Sequence, residues 1–388
     1  MRILFGVPTP WLPHLGATKV FMEVSEELTA LGWSCERICL PDLVPQRKGS
    51  SILPLYAEAL RAYLHEHAAR YDIVDYDHVY LPYPRTEFPR DVLFVARSVL
   101  LHHHIAHTHF PLRRTVRGTL ASVTRGAARR REVDVALEFA DRTISEADLV
   151  NVSNDDARSE LARHGIPPAK IVVLPFGLTQ RARKQLGSVP STPPIQPVVG
   201  FVGTFDFRKG AADFPRIVEA ITASVPDVRF LLLGTEGLHR GVSQVLAFFP
   251  RRLRPKVEVI PRFEPDELPA LLARCSVGVF PSYAEGFGFG VLEMLAAAVP
   301  VVAYRSPGPP MMLPEELLVP PGDTYAMAAK VAELLGDRGR LAEARLRARE
   351  RSRAFSWSRI AERTAEVYTA AVERLHGPRP AFQHRHTR

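Results

Sequence analysis

Two carboxylates eight positions apart, Glu285 and Glu293, flank a glycine-rich run in the stretch PSYAEGFGFGVLEMLAAAVPVVAY, residues 281–304. An apolar strand is predicted before the run and a helix after it, the order found in a ligand-facing βα turn. Glycine lets the backbone come close to a ligand, and the first N–H groups of a helix bind anions. Carboxylate oxygens accept hydrogen bonds from hydroxyl groups. The stretch therefore predicts a site for a ligand with phosphate and sugar, and a tight turn whose glycines serve only its geometry is the alternative.

Two adjacent cations, Arg208 and Lys209, follow a predicted strand in GFVGTFDFRKG, residues 200–210. A guanidinium fork and an ammonium point charge beside a helix start suit a diphosphate. The alternative is a solvated surface that carries two cations. A third candidate is the loop PWLPHLGATK, in which Gly16 would let the backbone meet a phosphate, and a plain helix N-terminus explains that loop equally well.

The segments around these candidates alternate between strands and helices in both halves of the chain, which predicts parallel sheets covered by helices on both faces. LFVARSVL is open between strand and helix, because an apolar run this short has no decisive period. Residues 111–146 are predicted as helical with one break, and 324–355 as one long helical stretch.

The proline-rich residues 184–197 predict a linker between two domains. We expect a Rossmann-like N-terminal acceptor domain over 1–183 and a Rossmann-like C-terminal domain over 198–355. A last helix is expected over 356–376 and a frayed tail over 377–388. Two such domains leave a cleft between the carboxyl ends of their sheets, where α/β ligands bind.

The composition of the 388 residues, 46% hydrophobic and 24% charged, is typical of a soluble globular protein. No apolar run approaches the roughly 18 residues that cross a membrane. MRILFGVPTPW predicts a first strand rather than a signal peptide. The three cysteines lack a metal or disulfide pattern, which favours buried thiols in a reducing cytoplasm. The net charge of +8 permits anionic partners without identifying one.

The motifs together resemble the retaining glycosyltransferases of the GT-B fold, in particular glycosyltransferase family 4. EGFGFGVLE matches the family's E-x7-E motif from Glu285 to Glu293, and GTFDFRKG, residues 203–210, matches its glycine-to-lysine element, which here has the spacing G-x5-KG. The family usually has arginine after that first glycine, where this chain has Thr204, and Arg208 is the candidate for the missing charge. DIVDYDH, ADLVNVSN, VVLPFG and the closing FSW…VY helix also fall where the family has such segments, and in this fold that helix crosses back to the N-terminal domain.

The resemblance implies that a UDP- or GDP-linked sugar lies on the C-terminal domain, with no metal or other cofactor. Arg208 and Lys209 would neutralise the departing diphosphate. Glu293 would accept hydrogen bonds from the ribose, and Glu285 would face the donor sugar. Backbone N–H groups at 287–289 would contact the sugar or phosphate. The implied donor-binding residues are Gly16, Gly203, Thr204, Arg208, Lys209, Gly234, Arg262, Phe263, Glu285, Gly286, Phe287, Gly288, Phe289 and Glu293.

The family often has a histidine at the end of an N-terminal strand, near the donor sugar. If LFVARSV is that strand, the position falls on Arg97 or Ser98, and if IAHTHF is the strand, His109 takes it. His109 and Arg97 are the acceptor-side candidates. The adjacent residues 102–104 are three histidines, but consecutive side chains of one element point different ways and make poor joint ligands. The catalytic candidates are Glu285, Arg208, Lys209 and His109.

PLRRTVRGTLASVTRGAARRR contains seven arginines and no acid. On a helix it would present a basic face to an anionic lipid surface or an anionic acceptor, and a solvated face is the alternative. Peripheral contact with the inner membrane face through Arg113–Arg131 is therefore an option for a cytoplasmic protein. Nucleic acid is not an expected partner, because no aromatics are interleaved and no recognition module is present.

On this resemblance we predict an enzyme, a metal-independent retaining hexosyltransferase that moves a sugar from a nucleoside-diphosphate sugar to an acceptor hydroxyl. One alternative is a phosphorylase or a sugar-nucleotide epimerase on the same fold. Another is a catalytically silent relative that binds sugar or membrane. The donor base, the sugar and the acceptor are not readable from the sequence.

Overall fold

The computed structural model describes residues 1–12, 16–45, 52–108, 119–238 and 241–376, with the backbone alone at 17, 107 and 119–130. The N-terminal sheet has the order β2-β1-β3-β4-β5-β6 and is parallel throughout. Its strands are β1 (Arg2–Val7), β2 (Ser34–Cys39), β3 (Ile73–Asp77), β4 (Leu93–Ser98), β5 (Leu149–Val152) and β6 (Ile171–Val173). β3 to β5 are buried almost throughout, as expected when helices cover both faces of a parallel sheet.

The C-terminal sheet has the order β12-β11-β10-β7-β8-β9 and is also parallel. Its strands are β7 (Val198–Val202), β8 (Arg229–Leu233), β9 (Val257–Ile260), β10 (Val277–Phe280), β11 (Val301–Tyr304) and β12 (Leu318–Val319). Two parallel α/β sheets confirm the predicted GT-B architecture of two Rossmann-like domains.

The helices of the described residues connect and cover these strands. They are α1 (Gly16–Ala30), α2 (Leu40–Leu43), α3 (Ile52–His67), α4 (His102–His107), α5 (Thr119–Glu146), α6 (Asp155–Arg163), α7 (Gln180–Gly187), α8 (Phe214–Ser224), α9 (Val242–Leu246), α10 (Leu268–Leu272), α11 (Phe289–Ala296), α12 (Pro309–Met312), α13 (Thr324–Gly336), α14 (Arg338–Ser352) and α15 (Trp357–His376). No helix in the described part of the chain is both long and apolar enough to cross a membrane.

One open choice is resolved by the structure, and three local expectations need correction. LFVARSVL contains the central strand β4, whose six residues are all buried, so the open choice resolves to a strand. The predicted linker 184–197 begins inside α7, which the side chain of Thr179 caps. The stretch 324–355 is two helices rather than one, because the Asp337 carboxylate accepts N–H bonds from Gly339 and Arg340 and starts α14. The predicted break in 111–146 is also absent from its described part, where α5 is continuous.

The strand order fixes where ligands bind. In the C-terminal sheet the chain runs outward from β7 through β8 to β9 and then returns to β10 on the other side of β7. Loops that leave two neighbouring strands in opposite directions open a crevice at their carboxyl ends. The crevice of this sheet therefore lies between the loop after β7, residues 203–213, and the loop after β10, residues 281–288. These two loops contain the predicted cation pair and the first predicted carboxylate.

The last helix, α15, packs against α1 and β4 of the N-terminal domain. The Trp357 indole N–H donates to a Glu23 carboxylate oxygen at 2.6 Å. Near the middle of the helix, the Tyr368 hydroxyl donates to the Asp75 carboxylate at 2.6 Å. α15 thus fastens the end of the C-terminal domain to the N-terminal sheet.

Candidate active site

The turn from β10 into α11 carries Glu285 at its centre and Glu293 on the helix. Gly288, the N-cap residue directly before α11, has φ +97°. Glycine adopts this left-handed conformation without strain. Among the described side chains, none caps α11, so its first N–H groups are available to an anion. From 291 to 300 every residue except Glu293 is buried. The apolar residues of α11 therefore anchor it and leave Glu293 on its accessible side.

The buried Glu285 carboxylate is the centre of a charge cluster. The Lys209 ammonium lies 2.5 Å from its Oε1 and the Arg208 guanidinium 3.2 Å from the same atom. Glu285 is only 5% exposed. Burial raises the pKa of Glu285, but the charges of Lys209 and Arg208 outweigh this, and the net pKa lies below its ordinary value. Burial also lowers the pKa of Lys209 from its ordinary value, and Glu285 opposes that shift.

The loop after β7 presents the two cations. The Asp206 carboxylate accepts bonds from the Lys209 backbone N–H at 3.0 Å and from the Thr204 hydroxyl at 2.8 Å. The Arg208 carbonyl accepts the Tyr283 N–H at 2.8 Å, which ties this loop to the loop after β10. Thr204, which stands where the family usually has arginine, is thus part of the loop's internal bonding. Arg208 supplies the second cation at Glu285.

Gly286 contacts the opposite domain. Its carbonyl accepts hydrogen bonds from the Ser153 hydroxyl at 2.6 Å and from the Asn154 side-chain amide. A Cβ added at Gly286 would overlap the carbonyl oxygen of Val99, so only glycine permits this approach. The glycine-rich turn is therefore where the two domains meet.

Glu293 also has a partner in the N-terminal domain. The Lys19 ammonium, on α1, lies 3.5 Å from the Glu293 Oε1. The same ammonium lies 4.8 Å from the centre of the Phe289 ring. Both acids of the E-x7-E motif are thus ion-paired, Glu285 within its own domain and Glu293 across the domain interface.

The phenylalanines of the turn have a structural role through their side chains. Phe287 is 2% exposed and packs against Phe176 and Phe355. The Phe289 ring stacks on Phe176 with centroids 5.9 Å apart. The buried Phe287 therefore offers its backbone N–H rather than its ring to a ligand.

Four further predicted donor residues lie at neighbouring strand ends. Gly203 follows β7, Gly234 follows β8, and Arg262 and Phe263 follow β9. The Phe263 ring lies against Gly234, 3.2 Å from where a Cβ would stand. Arg262 pairs with Glu236, and its side chain is 82% exposed. The structure thus gathers these residues along one edge of the sheet, next to the charge cluster.

Gly16, at the start of α1, is exposed, with open space where a Cβ would stand.

Arg97 is not exposed to the cleft. Its guanidinium makes a bidentate pair with Asp75, at 2.6 to 3.1 Å, and also donates to the Tyr368 hydroxyl at 3.0 Å. It is 1% exposed, and although burial acts to lower its pKa, Asp75 raises it. This network fastens α15 to the N-terminal sheet, so the proposed acceptor-side place of Arg97 is wrong.

His109 lies outside the described residues. Residues 102–107 form helix α4, so the interpretation of IAHTHF as a strand is wrong over its described part. The basic stretch Arg113–Arg131 is likewise outside the described residues at 113–118, and only its backbone is given at 119–130.

The three adjacent histidines of α4 have different neighbours, as expected for consecutive residues. His102 Nδ1 lies 3.2 Å from His78 Nε2. His103 Nε2 lies 2.8 Å from an Asp141 carboxylate oxygen. His104 is 9% exposed, close to the Glu160 carboxylate. Within the described ranges, no group of three or more His, Cys, Asp or Glu side chains has a metal-binding arrangement.

Sequence reasoning missed three side chains of this site: Lys19, Ser153 and Asn154. Ser153 and Asn154 directly follow the buried strand β5, and polar residues at the carboxyl end of a parallel strand are a signal for a cleft. Lys19 stands in the loop-to-helix segment from which only Gly16 was chosen. Lys19 and Glu23 are four residues apart and so lie on one face of the helix. That spacing was the signal for Lys19 in the sequence.

The chain is similar in sequence to known glycosyltransferases. The family described as Glycosyl transferases group 1 matches residues 196–337, which contain the charge cluster and both acids. A D-inositol 3-phosphate glycosyltransferase from Nocardia farcinica is 28% identical over 351 aligned residues, covering 85% of this chain and 73% of that protein. Three further relatives of that name are matched over 59% to 61% of their own length.

Solved structures support the fold. Sucrose-phosphate synthase from Thermosynechococcus elongatus superposes with a TM-score of 0.71 at 23% identity, covering 95% of this chain and 98% of that one. HepE from Anabaena, solved in complex with UDP and glucose, superposes with a TM-score of 0.62 at 17% identity, covering 95% of this chain and all of that one (100%).

Proposed function

We propose that this chain is a glycosyltransferase of the GT-B fold and the family 4 type, and that it catalyses one specific reaction. It transfers the sugar of a nucleoside-diphosphate sugar to an acceptor hydroxyl, with retention of anomeric configuration and without a metal. The observation that carries the proposal is the pairing of the buried Glu285 carboxylate with Lys209 and Arg208 at the crevice between β7 and β10.

Lys209 and Arg208 both face the Glu285 carboxylate, and Asp206 is a further acid near Lys209. An incoming phosphate would replace Glu285 as the partner of the two cations. A diphosphate beside the start of α11 would receive that helix's free N–H groups together with Lys209 and Arg208. Once the diphosphate engages both cations, Glu285 is released to accept hydrogen bonds from the donor sugar. Glu293, at the other end of the motif, accepts hydrogen bonds from the ribose.

In the proposed reaction the bond between the anomeric carbon and the phosphate oxygen breaks, and its electron pair leaves with the phosphate. Lys209, Arg208 and the α11 N–H groups stabilise the charge that develops there. The acceptor oxygen bonds to the anomeric carbon on the same face, and its proton passes to the departing phosphate oxygen. No protein nucleophile is assigned.

The relatives supply the first substrates to test. The HepE structure holds UDP, which supports UDP-linked sugars as the first donors, with GDP-linked sugars second. The Nocardia relative is named for D-inositol 3-phosphate, which supports that compound as the first acceptor. A cytoplasmic location and a peripheral membrane contact through Arg113–Arg131 rest on the sequence alone. Failure of the protein to bind anionic vesicles at low salt would refute the membrane contact.

The proposal predicts that nucleoside diphosphate is released from a UDP- or GDP-sugar only when an acceptor is present. Liquid chromatography would follow the nucleotide, and proton NMR of the product would report the anomeric configuration. The reactions would be run with and without EDTA, because phosphate neutralisation by Lys209 and Arg208 needs no metal. Equal rates with and without chelator, and a retained configuration, are the expected results.

Other outcomes correspond to the competing functions. Product formation that requires inorganic phosphate would indicate a phosphorylase. An isomerised sugar nucleotide in the absence of acceptor would indicate an epimerase. Binding of a nucleotide sugar without turnover, whichever acceptor is offered, would indicate a catalytically silent relative. Loss of activity on addition of EDTA would contradict metal independence.

A further inference from the structure

The contact between Lys19 and Glu293 joins the two domains at the donor site. Lys19 lies on α1 of the N-terminal domain and Glu293 on α11 of the C-terminal domain, with Nζ and Oε1 3.5 Å apart. Their side chains are 26% and 16% exposed. The Lys19 ammonium also faces the Phe289 ring, 4.8 Å from its centre. An ion pair and a cation–π contact together hold this ammonium in one place.

Glu23, one helical turn after Lys19, extends the same contact. Its carboxylate accepts the indole N–H of the fully buried Trp357 at 2.6 Å. Burial acts to lower the pKa of Lys19, but the carboxylates of Glu293 and Glu23 outweigh it and raise that pKa. The ammonium therefore stays charged between two acids, one from each domain.

The ion pair leaves Glu293 able to bind a ligand. A carboxylate has about four lone-pair positions, and one ammonium at Oε1 fills one of them. The remaining positions suit the 2′- and 3′-hydroxyls of a ribose, the group that an acidic residue binds in many nucleotide sites. Since the neighbouring residues of α11 are buried, the backbone of Glu293 is fixed, and its carboxylate is the part that needs orienting.

We propose that Lys19 is a positioning residue for the donor: it orients the Glu293 carboxylate toward the ribose hydroxyls and so links ribose recognition to the closed arrangement of the two domains. This inference rests on the proposed function, because it takes Glu293 as the ribose acceptor. Lys19 acts through Glu293 and does not contact the reacting atoms.

The test compares UDP with 2′,3′-dideoxyuridine diphosphate, which lacks both hydroxyls, by calorimetric titration. If UDP does not bind, the corresponding guanosine pair is used. The wild type should prefer UDP by about tenfold or more, since hydrogen bonds to a charged group are lost in the analogue. Lys19→Met should reduce that preference at least about threefold by weakening UDP alone. Lys19→Arg, which can still pair with Glu293, should restore it.

Two variants serve as controls. Lys184→Met removes a charge from an exposed position on α7 and should leave the preference unchanged. Lys19→Gln keeps a hydrogen-bond donor without the charge, so its preference for UDP over the dideoxy analogue should lie between those of the wild type and Lys19→Met. This variant also serves as the test if Lys19→Met folds poorly. In a Glu293→Gln background, Lys19→Met should have no further effect on the preference.

The outcomes separate this inference from the proposed function. No preference in the wild type would overturn the ribose role of Glu293 and with it the proposed donor site. A normal wild-type preference that persists in Lys19→Met would overturn only the role of Lys19. Equal weakening of both ligands would show that Lys19 contacts the phosphates directly, which also overturns its role as a positioning residue.

Discussion

Lys209 and Arg208 both pair with the Glu285 carboxylate, so a ligand that binds these cations must displace it. The same Lys209 ammonium that lies 2.5 Å from Glu285 is the proposed partner of the diphosphate. The carboxylate therefore competes with the ligand for the cations. A variant without the carboxylate frees both cations, although it leaves a buried lysine without its nearest anion.

Glu285→Ala should lower turnover by about 100-fold or more, because the donor sugar loses a charged partner that is engaged during transfer. The dissociation constant of the nucleoside diphosphate should stay similar or decrease. Steady-state kinetics and calorimetry measure the two effects separately. Glu258→Ala, at an exposed ion pair with Arg274 on β9, is the control and should change neither. Unchanged turnover in Glu285→Ala would refute the role assigned to this residue.

At the residue scale, the sequence identifies candidate site residues more readily than it identifies their partners. Glu285, Glu293 and Lys209 are recognisable because each stands in a spaced motif. The 77-residue separation of Arg208 from Glu285 hides their contact, which exists only because β7 and β10 are neighbours. Arg97 was misplaced because its partner Tyr368 is 271 residues away.

Helix α4 contains two histidines whose protonation should make stability depend on pH. Burial lowers the pKa of His102 and of His104 to about 4. Glu160 opposes this shift at His104, while His103 and Arg163 add to it. In the unfolded chain these imidazoles bind protons below about pH 6.5. Their contribution to stability is therefore full above pH 6.5 and is lost as the pH falls toward 4.

His104→Gln should reduce the difference in unfolding free energy between pH 7.5 and pH 5 by about 2 kcal/mol, the contribution of one such histidine over that interval. Urea unfolding of both proteins at the two pH values measures it. The pH dependence due to Glu23 has the opposite sign. Burial raises the pKa of Glu23 from 4.5 to about 7, so its contribution to the stability of the fold is lost as the pH rises through 7. An identical pH difference in wild type and variant would show that His104 is not the titrating group.

The elements were predictable where their apolar pattern was unambiguous. β1, β7 and β10 lie where strands were expected: at the start of the chain, before the cation pair and before the glycine-rich run. β4 could not be assigned from its own residues, since its identity depends on hydrogen bonding to β3 and β5. The start of α14 depends on one side-chain cap at Asp337, a signal that the surrounding helical pattern concealed.

The whole molecule is organised by contacts between its domains, which no local pattern reveals. Gly286 receives bonds from Ser153 and Asn154, Lys19 reaches Glu293, and Trp357 reaches Glu23. All of these contacts involve the E-x7-E segment or the helix that crosses back. The sequence predicted two domains and a cleft, but the residues that hold the cleft closed required the structure.

The central claim is that the crevice between β7 and β10 binds a nucleoside diphosphate through Lys209, and ligand-induced stabilisation tests it most directly. In a thermal-unfolding screen, UDP or GDP at 100 times its dissociation constant should stabilise the wild type by about 2.7 kcal/mol. Lys209→Met should lose most of that stabilisation, while Lys184→Met keeps it. The claim is contradicted if no nucleoside diphosphate stabilises the wild type, or if Lys209→Met is stabilised as much as the wild type.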